Sequence, residues 1–146
     1  MEKEKIIIAS DHAGFNLKNA LVQYIANLGF EIIDIGTHSN ESCDYPLIAK
    51  NVSLKILDGN YTKGILVCGT GIGMAIMANR YKGIRAAVVS DTCSAKMSRS
   101  HNNSNVLCLG ERIVGYELAK DIVNIWLNTD FTGDRHKKRV DMLDKW

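Results

Sequence analysis

Apolar runs alternate with amphipathic segments along the whole chain. Short runs rich in isoleucine, leucine and valine are typical of buried strands. They occupy residues 5–9, 31–35, 64–68, 84–89 and 105–109. Between them, apolar residues recur at three- and four-residue spacing, as in amphipathic helices. These segments are residues 15–28, 45–57, 72–81, 94–100 and 114–127. The alternation predicts a parallel sheet whose strands are joined by helical crossovers.

The predicted fold class is α/β, a Rossmann-like three-layer α/β/α sandwich around a five-stranded parallel sheet. A chain of 146 residues can bury one core without a disulfide or a metal to hold it together. We therefore expect a single domain over residues 1–146. The last segment, about residues 134–146, is rich in lysine and arginine and is predicted to be a basic helix or tail.

Ligands of such sheets bind beyond the carboxyl ends of the strands. The segments expected at that edge all carry polar or glycine residues. They are SDHAG (10–14), GTHS (36–39), CGTGIG (68–73), SDTCS (90–94) and GER (110–112). The functional site is predicted to lie among these loops.

Cys68 stands where a buried strand should end and a glycine-rich turn should open a helix. Gly69, Gly71 and Gly73 let the backbone approach a bound group closely. A thiol beside a helix N-terminus faces unpaired N–H groups and the positive end of the helix dipole, which favour the thiolate. Cys68 is therefore a candidate nucleophile or base, and the alternative is a small buried apolar residue that closes the strand.

Composition excludes several classes of protein. The formal net charge of +2 gives no reason to expect nucleic-acid binding. No apolar stretch approaches the roughly 18 residues of a membrane-spanning helix, so we expect no membrane association. The four cysteines form neither a CxxC pair nor a zinc-like cluster with histidine, which predicts free thiols and a cytoplasmic location.

Several short motifs match known sites only in part. The glycine run lacks the third glycine of the GxGxxG dinucleotide fingerprint and the lysine of a phosphate-binding P-loop. The segment CSAKMSRS (93–100) has the spacing of a cysteine phosphatase loop, but it contains no glycine and is predicted to be helical. The cluster RHKKR (135–139) favours a solvated face, although Arg135 and Arg139 share one side of a helix and could grip a dianion together.

Five segments, spread over nearly the whole chain, form a recognisable set of motifs. They are SDHAGF (10–15), DYP (44–46), CGTGIG (68–73), SRSHNNSNVL (98–107) and GDRHKKRV (133–140). Together they resemble the type B ribose-5-phosphate isomerases of the RpiB/LacAB sugar-phosphate isomerase family. The galactose-6-phosphate isomerase subunits of that family generally lack the histidine of the HNN segment or the C-terminal arginine pair. Both are present here, which favours the pentose enzyme.

The resemblance implies interconversion of D-ribose 5-phosphate and D-ribulose 5-phosphate, a step of the pentose phosphate pathway. It assigns to Cys68 the proton transfer between C1 and C2, and to Thr70 a hydroxyl that assists at the developing oxyanion. A helix cap is the alternative for Thr70. His101 corresponds to the residue that opens the furanose ring, which suits a side chain that exchanges protons near neutral pH. Asp11 would bind sugar hydroxyls or help ring opening.

The resemblance also implies a set of substrate-binding residues. His12 would lie near the phosphate, and the glycine turn would supply backbone N–H donors. Sugar contacts correspond to Tyr45 and Asn102, and phosphate contacts to Arg112, Arg135 and Arg139. His136, between two of these arginines, is interpreted as a neighbour without a role of its own. Thr37, His38 and Asp44 are further candidates for lining the pocket.

In the family the site lies across a homodimer, with the region of His101, Asn102 and Arg112 facing the Cys68 loop of the other subunit. We therefore expect a homodimer, or a tetramer built from it, with a small sugar phosphate as ligand and neither cofactor nor metal. Two alternatives remain open from the sequence. One is an isomerase of a six-carbon sugar phosphate such as allose or galactose 6-phosphate, and the other is a non-catalytic phospho-sugar sensor.

Overall fold

A computed structural model describes residues 3–146 of the chain, so that only the first two residues of the predicted 1–146 domain lie outside it. Five parallel strands form one sheet in the order β2-β1-β3-β5-β4. The strands are β1 (Lys5–Ser10), β2 (Glu31–Asp34), β3 (Lys63–Cys68), β4 (Ala86–Val88) and β5 (Val106–Gly110). The helices are α1 (Phe15–Asn27), α2 (Tyr45–Leu57), α3 (Ile72–Ala78), α4 (Thr92–Ser100), α5 (Tyr116–Asn128) and α6 (Arg135–Met142).

The predicted fold class is confirmed, because each expected strand and helix is present and the sheet is parallel throughout. Successive residues of β3 point to opposite faces and enter two separate apolar clusters. Ile65 and Val67 pack with α1 and α5, whereas Leu66 and Cys68 pack with α2 and α3. Helices therefore cover both faces of the sheet, and its central strand is buried along its whole length.

Several predicted elements differ in length from those in the structure, and three differences have a visible cause or a larger size. Strand β4 covers Ala86–Val88 rather than residues 84–89, and α3 ends at Ala78 rather than at residue 81. The side chain of Asn79 bonds both backbone groups of Ala86, at 2.9 and 2.7 Å, and so joins the end of α3 to the start of β4. Helix α4 begins two residues earlier than predicted because the Asp91 carboxylate caps it, accepting from the Ser94 N–H at 2.6 Å.

The segment CSAKMSRS lies inside α4, so its prediction as a helix is confirmed. The basic C-terminal segment forms α6 and a short end beyond it. Within residues 3–146, no helix is both long and apolar enough to cross a lipid bilayer.

Candidate active site

One group of candidate residues lies at the carboxyl edge of the sheet. Asp11, Cys68 and Arg112 follow or end β1, β3 and β5, which are neighbours in the sheet. Because parallel strands all end at the same edge, these three segments meet there. Backbone bonds join them directly: the Asp11 N–H donates to the Val67 carbonyl at 3.2 Å, and the Arg112 N–H donates to the Gly69 carbonyl at 3.1 Å.

Cys68 is the last residue of β3, and only 6% of its surface is exposed. Its sulfur accepts a hydrogen bond from the Gly71 N–H at 3.1 Å. An amide donor aimed at the sulfur stabilises a thiolate more than a thiol, because the bond to the charged form is stronger. The predicted place of Cys68, between a strand end and a glycine turn, is confirmed.

The glycine turn is packed so closely that side chains have no room there. Gly71 has a φ of +83°, and a Cβ built on it would lie 3.1 Å from the backbone carbon of Leu109. Gly110 presses on the same turn from β5, since its Cβ would lie 2.7 Å from backbone atoms of Thr70. Sheet pairing and these contacts together fix the turn that carries Cys68.

Arg112 lies over Gly69 of the same chain, with its guanidinium Nη1 3.3 Å from the position a Cβ would take. The adjacent Glu111 sends its carboxylate elsewhere, accepting the Leu17 N–H in the first turn of α1 at 2.5 Å. The Glu111 N–H donates to the Cys68 carbonyl at 2.9 Å. Glu111 therefore ties α1 to the Cys68 turn and leaves the charge of Arg112 available to a ligand.

Asp11 and His12 lie in the turn between β1 and α1. The Asp11 carboxylate is buried and its Oδ1 accepts the N–H groups of Ala13 and Gly14, at 2.9 and 3.2 Å, which caps the short 3₁₀ helix His12–Gly14. His12 accepts the Cys43 N–H on Nδ1 at 3.3 Å. That bond leaves Nε2 of His12 as the nitrogen that can face a ligand.

Tyr45 and Thr70 border the same turn from the outside. The Tyr45 ring lies against Gly73, where a Cβ would be 2.5 Å from Cε1, and the residue is 42% exposed. Thr70 is exposed, and its hydroxyl accepts the Ile72 N–H at 3.2 Å. That bond fits the capping alternative for Thr70, and it leaves the hydroxyl proton free to donate to a ligand.

The secondary candidates Thr37, His38 and Asp44 lie near this edge, and their side chains form no hydrogen bond with the group within the described residues 3–146. Thr37 follows β2, and its N–H donates to the Ser10 carbonyl at 2.8 Å. His38 packs beside Gly36, and Asp44 precedes α2 without capping it through its side chain. Their predicted contact with a substrate stays a prediction.

A second group of candidates lines a cleft of about 270 Å³ formed by the end of α4 and by α6. Its lining residues are His101, Asn102, His136, Arg139, Val140 and Leu143. The rings of His101 and His136 stack, with 4.2 Å between their centroids and 13° between their planes. Loop bonds hold α6 beside α4, since both the N–H and the hydroxyl of Thr132 donate to the Ser100 carbonyl, at 3.1 and 2.8 Å.

Positive charge dominates this cleft. Desolvation lowers the pKa of His136, and the neighbouring His101, Arg135 and Arg139 lower it further. Within residues 3–146, Arg112, Arg135 and Arg139 form no ion pair with a carboxylate. Arg135 and Arg139 are exposed on α6, and such a pair of guanidinium groups suits a phosphate ligand, which accepts paired hydrogen bonds from arginine.

The two groups lie at opposite edges of the sheet. Helix α4 connects the carboxyl end of β4 to the amino end of β5, so its last turn and His101 lie at the amino edge. The resemblance places Arg112 with His101 and Asn102, opposite another subunit's Cys68 loop. That placement is wrong for Arg112, because β5 ends beside β3 and brings Arg112 onto the Cys68 turn of its own chain.

Sequence reasoning misses two residues of these groups. Glu111 belongs to the GER loop, but nothing in the sequence shows that its carboxylate reaches Leu17, 94 positions away. His136 is dismissed as a neighbour, although its ring stacks on His101. Its position in the sequence could have suggested a role for it. His136 comes directly after Arg135 and four residues before Val140, on the helix that carries the arginines.

Comparison with known proteins shows which family this chain belongs to. The family model described as Ribose/Galactose Isomerase matches residues 6–143. This chain belongs to that family. It is 48% identical over 140 residues to the Escherichia coli protein named ribose-5-phosphate isomerase B, an alignment that covers 96% of this chain and 94% of the relative.

Solved structures of similar proteins have the same fold. The crystal structure of a ribose 5-phosphate isomerase from Thermotoga maritima is 49% identical and matches with a TM-score of 0.96, covering 99% of this chain and 100% of that one. The Clostridium thermocellum ribose-5-phosphate isomerase B is 48% identical with a TM-score of 0.95, covering 97% and 95%. The predicted family and fold are thus both confirmed, whereas the roles of individual residues stay predictions.

Proposed function

We propose that this protein is an aldose–ketose isomerase that interconverts D-ribose 5-phosphate and D-ribulose 5-phosphate. The observation that carries the proposal is the Cys68 sulfur under the Gly71 N–H, on a turn that Arg112 covers. The names of similar proteins, which specify ribose 5-phosphate, support the five-carbon substrate over a six-carbon one. The reaction belongs to pentose phosphate metabolism.

The chemistry requires one base and several donors. The Cys68 thiolate removes the proton from C2 of the open-chain aldose, and the electron pair moves through C1 onto the carbonyl oxygen as the enediolate forms. A proton passes from the C2 hydroxyl to the C1 oxygen, and the resulting thiol returns its proton to C1, which leaves the carbonyl at C2 and gives the ketose. Thr70 and amide N–H groups of the glycine turn stabilise the charged oxygen. The Gly71 N–H already serves the sulfur, so it is not among the donors to the oxygen.

The second half of the site opens the ring and holds the phosphate. Ribose 5-phosphate is mainly a furanose, so it needs a proton donor at the ring oxygen before C2 becomes acidic. His101 supplies that proton, and the guanidinium groups of Arg135 and Arg139 bind the phosphate. Because these residues lie at the opposite sheet edge from Cys68, we propose that a second copy of the chain brings them to the Cys68 turn.

A direct assay tests the reaction. Purified protein should convert ribose 5-phosphate to ribulose 5-phosphate and should exchange the C2 proton with deuterium from the solvent. Allose 6-phosphate and galactose 6-phosphate, tested in parallel, should be poor substrates. Saturable binding of ribose 5-phosphate without proton exchange would show that the protein is a sensor instead.

Mixed dimers test the shared site. Cys68→Ala and His101→Ala each inactivate both sites of a homodimer. The two variants are then mixed and allowed to exchange subunits. Each mixed dimer, with one subunit of each variant, contains one intact site and one site that carries both substitutions, so activity should return. Mixing His101→Ala with His101→Asn provides the control, since no intact site can form. Without recovery in the first mixture, both halves must come from one chain and the proposed pairing is wrong.

A further inference from the structure

The imidazole rings of His101 and His136 form a stacked pair in the cleft between α4 and α6. Its two rings are nearly parallel at 4.2 Å and come from different helices. His101 follows the last turn of α4, and its N–H donates to the Met97 carbonyl at 2.9 Å. That bond fixes the backbone of His101, but it leaves the side chain free to rotate about its first two torsions. The stack with His136 is the contact that restricts the ring.

His136 is well suited to act as a passive platform. It is half-buried and lines the same cleft as His101 and Arg139. Desolvation, with the nearby His101, Arg135 and Arg139, lowers its pKa, so near neutral pH its ring is uncharged. An uncharged ring can lie face to face with another imidazole without charge repulsion, and it leaves the edge nitrogens of that partner open to the cleft.

We infer that His136 is a positioning residue for ring opening: its ring covers one face of the His101 imidazole and so aims the His101 nitrogens at the sugar ring oxygen. The inference rests on the proposed function, since it assumes that His101 delivers that proton. Helix α6 then has two roles, because the same two turns carry the phosphate-binding arginines and the ring that orients the proton donor.

The two sugar phosphates allow ring opening to be separated from isomerisation. Ribose 5-phosphate must be opened before its C2 proton can be removed. Ribulose 5-phosphate cannot close to a furanose, because its 5-hydroxyl carries the phosphate, and it therefore reaches Cys68 already open. At saturating substrate, a defect confined to ring opening lowers kcat for ribose 5-phosphate more than kcat for ribulose 5-phosphate. A weakened phosphate contact instead raises KM for both sugars.

Two substitutions separate stacking from proton transfer by His136 itself. His136→Phe keeps a flat ring that cannot exchange a proton, and His136→Ala removes the ring. We expect His136→Ala to lower kcat, measured at saturating substrate, about tenfold for ribose 5-phosphate and by no more than about twofold for ribulose 5-phosphate. His136→Phe should restore most of the lost rate. The matched control is Lys137→Ala on the same helix, where the lysine pairs with Asp141 and both groups are exposed.

Each outcome decides the matter. Equal losses of kcat with both sugars in His136→Ala, or a rise in KM alone, would show that His136 does not position His101 for ring opening. If His136→Phe is as slow as His136→Ala, an imidazole nitrogen is required and stacking is not the explanation. An inactive wild-type protein would contradict the proposed function instead. In that case the ring-proton NMR shifts of His101 in wild type and His136→Ala still test the stack, and identical shifts would overturn it.

Discussion

The backbone N–H of Gly71 points at the sulfur of Cys68, with 3.1 Å between the nitrogen and the sulfur. Gly71 is the residue before α3 and has a left-handed φ of +83°, a backbone conformation that residues other than glycine rarely adopt. The turn thus places a hydrogen-bond donor on the thiol through main-chain geometry alone. The proposed role of Cys68 as a base depends on this contact.

Cys68→Ala should abolish proton transfer while leaving substrate binding nearly intact, because the thiolate acts mainly in the transition state. We expect kcat to fall at least about 10²-fold, with the affinity for ribose 5-phosphate, measured by calorimetry, changing little. Cys93→Ala is the control, since Cys93 is exposed near the start of α4. Turnover by Cys68→Ala close to that of wild type would exclude Cys68 as the base.

Cys108 should resist alkylation in the folded protein. It is fully buried on β5, and this burial, with the nearby Cys68 as a smaller cause, raises the pKa of the Cys108 thiol far above its ordinary value. The thiol therefore stays protonated at neutral and mildly alkaline pH, and thiols react as thiolates. Peptide mapping after iodoacetamide treatment at pH 8 should show modified Cys93 and unmodified Cys108. Equal labelling of the two would mean that the sheet opens readily.

Removing either arginine of α6 should weaken substrate binding more than it slows chemistry. A charge-assisted hydrogen bond contributes about 1.5–3 kcal/mol, so Arg135→Ala or Arg139→Ala should raise KM about tenfold or more. Steady-state kinetics with ribose 5-phosphate measures the separate effects on KM and kcat. Lys138→Ala removes an equal charge from the same helix and should leave KM within about twofold. If both arginine variants keep the wild-type KM, the phosphate binds elsewhere.

Gly14→Ala should destabilise the fold through a backbone clash. A Cβ at Gly14 would lie 2.5 Å from the carbonyl oxygen of Val67, which β3 cannot move without breaking its pairing. Overpacking of this kind costs about 1–3 kcal/mol in the free energy of unfolding, measured by urea denaturation. Gly115→Ala is the matched control, because no atom lies within 4 Å of its Cβ position and its φ is −74°. Equal stability of the two variants would show that β3 yields at this contact.

The sequence was sufficient to predict the fold because local patterns carry most of that information. Strand β3 is buried from end to end and carries the apolar run predicted over residues 64–68, as expected for a strand covered on both faces. Helix α5 keeps its buried apolar residues on one side. Element ends were less predictable. Helix α3 stops where the Asn79 side chain bonds Ala86, a contact between segments that periodicity does not reveal.

The candidate site was predictable only in part, for the same reason. Cys68 and Gly71 are three positions apart, so their contact follows from a local turn. The carboxylate of Glu111 reaches Leu17, and the ring of His136 reaches His101, only because distant segments pack together. The division of the candidates between two sheet edges likewise depends on the path of α4 through space.

The crowding around the glycine turn limits how this protein can be redesigned. Adding a methyl group at Gly71 or Gly110 would press on main-chain atoms, and one at Gly73 would displace the Tyr45 ring. The glycine turn therefore cannot be reshaped by enlarging these positions. A longer or bulkier sugar would have to be accommodated from the α6 side, where Asn102 is exposed and its substitution leaves the core untouched. Libraries aimed at new substrates should concentrate there.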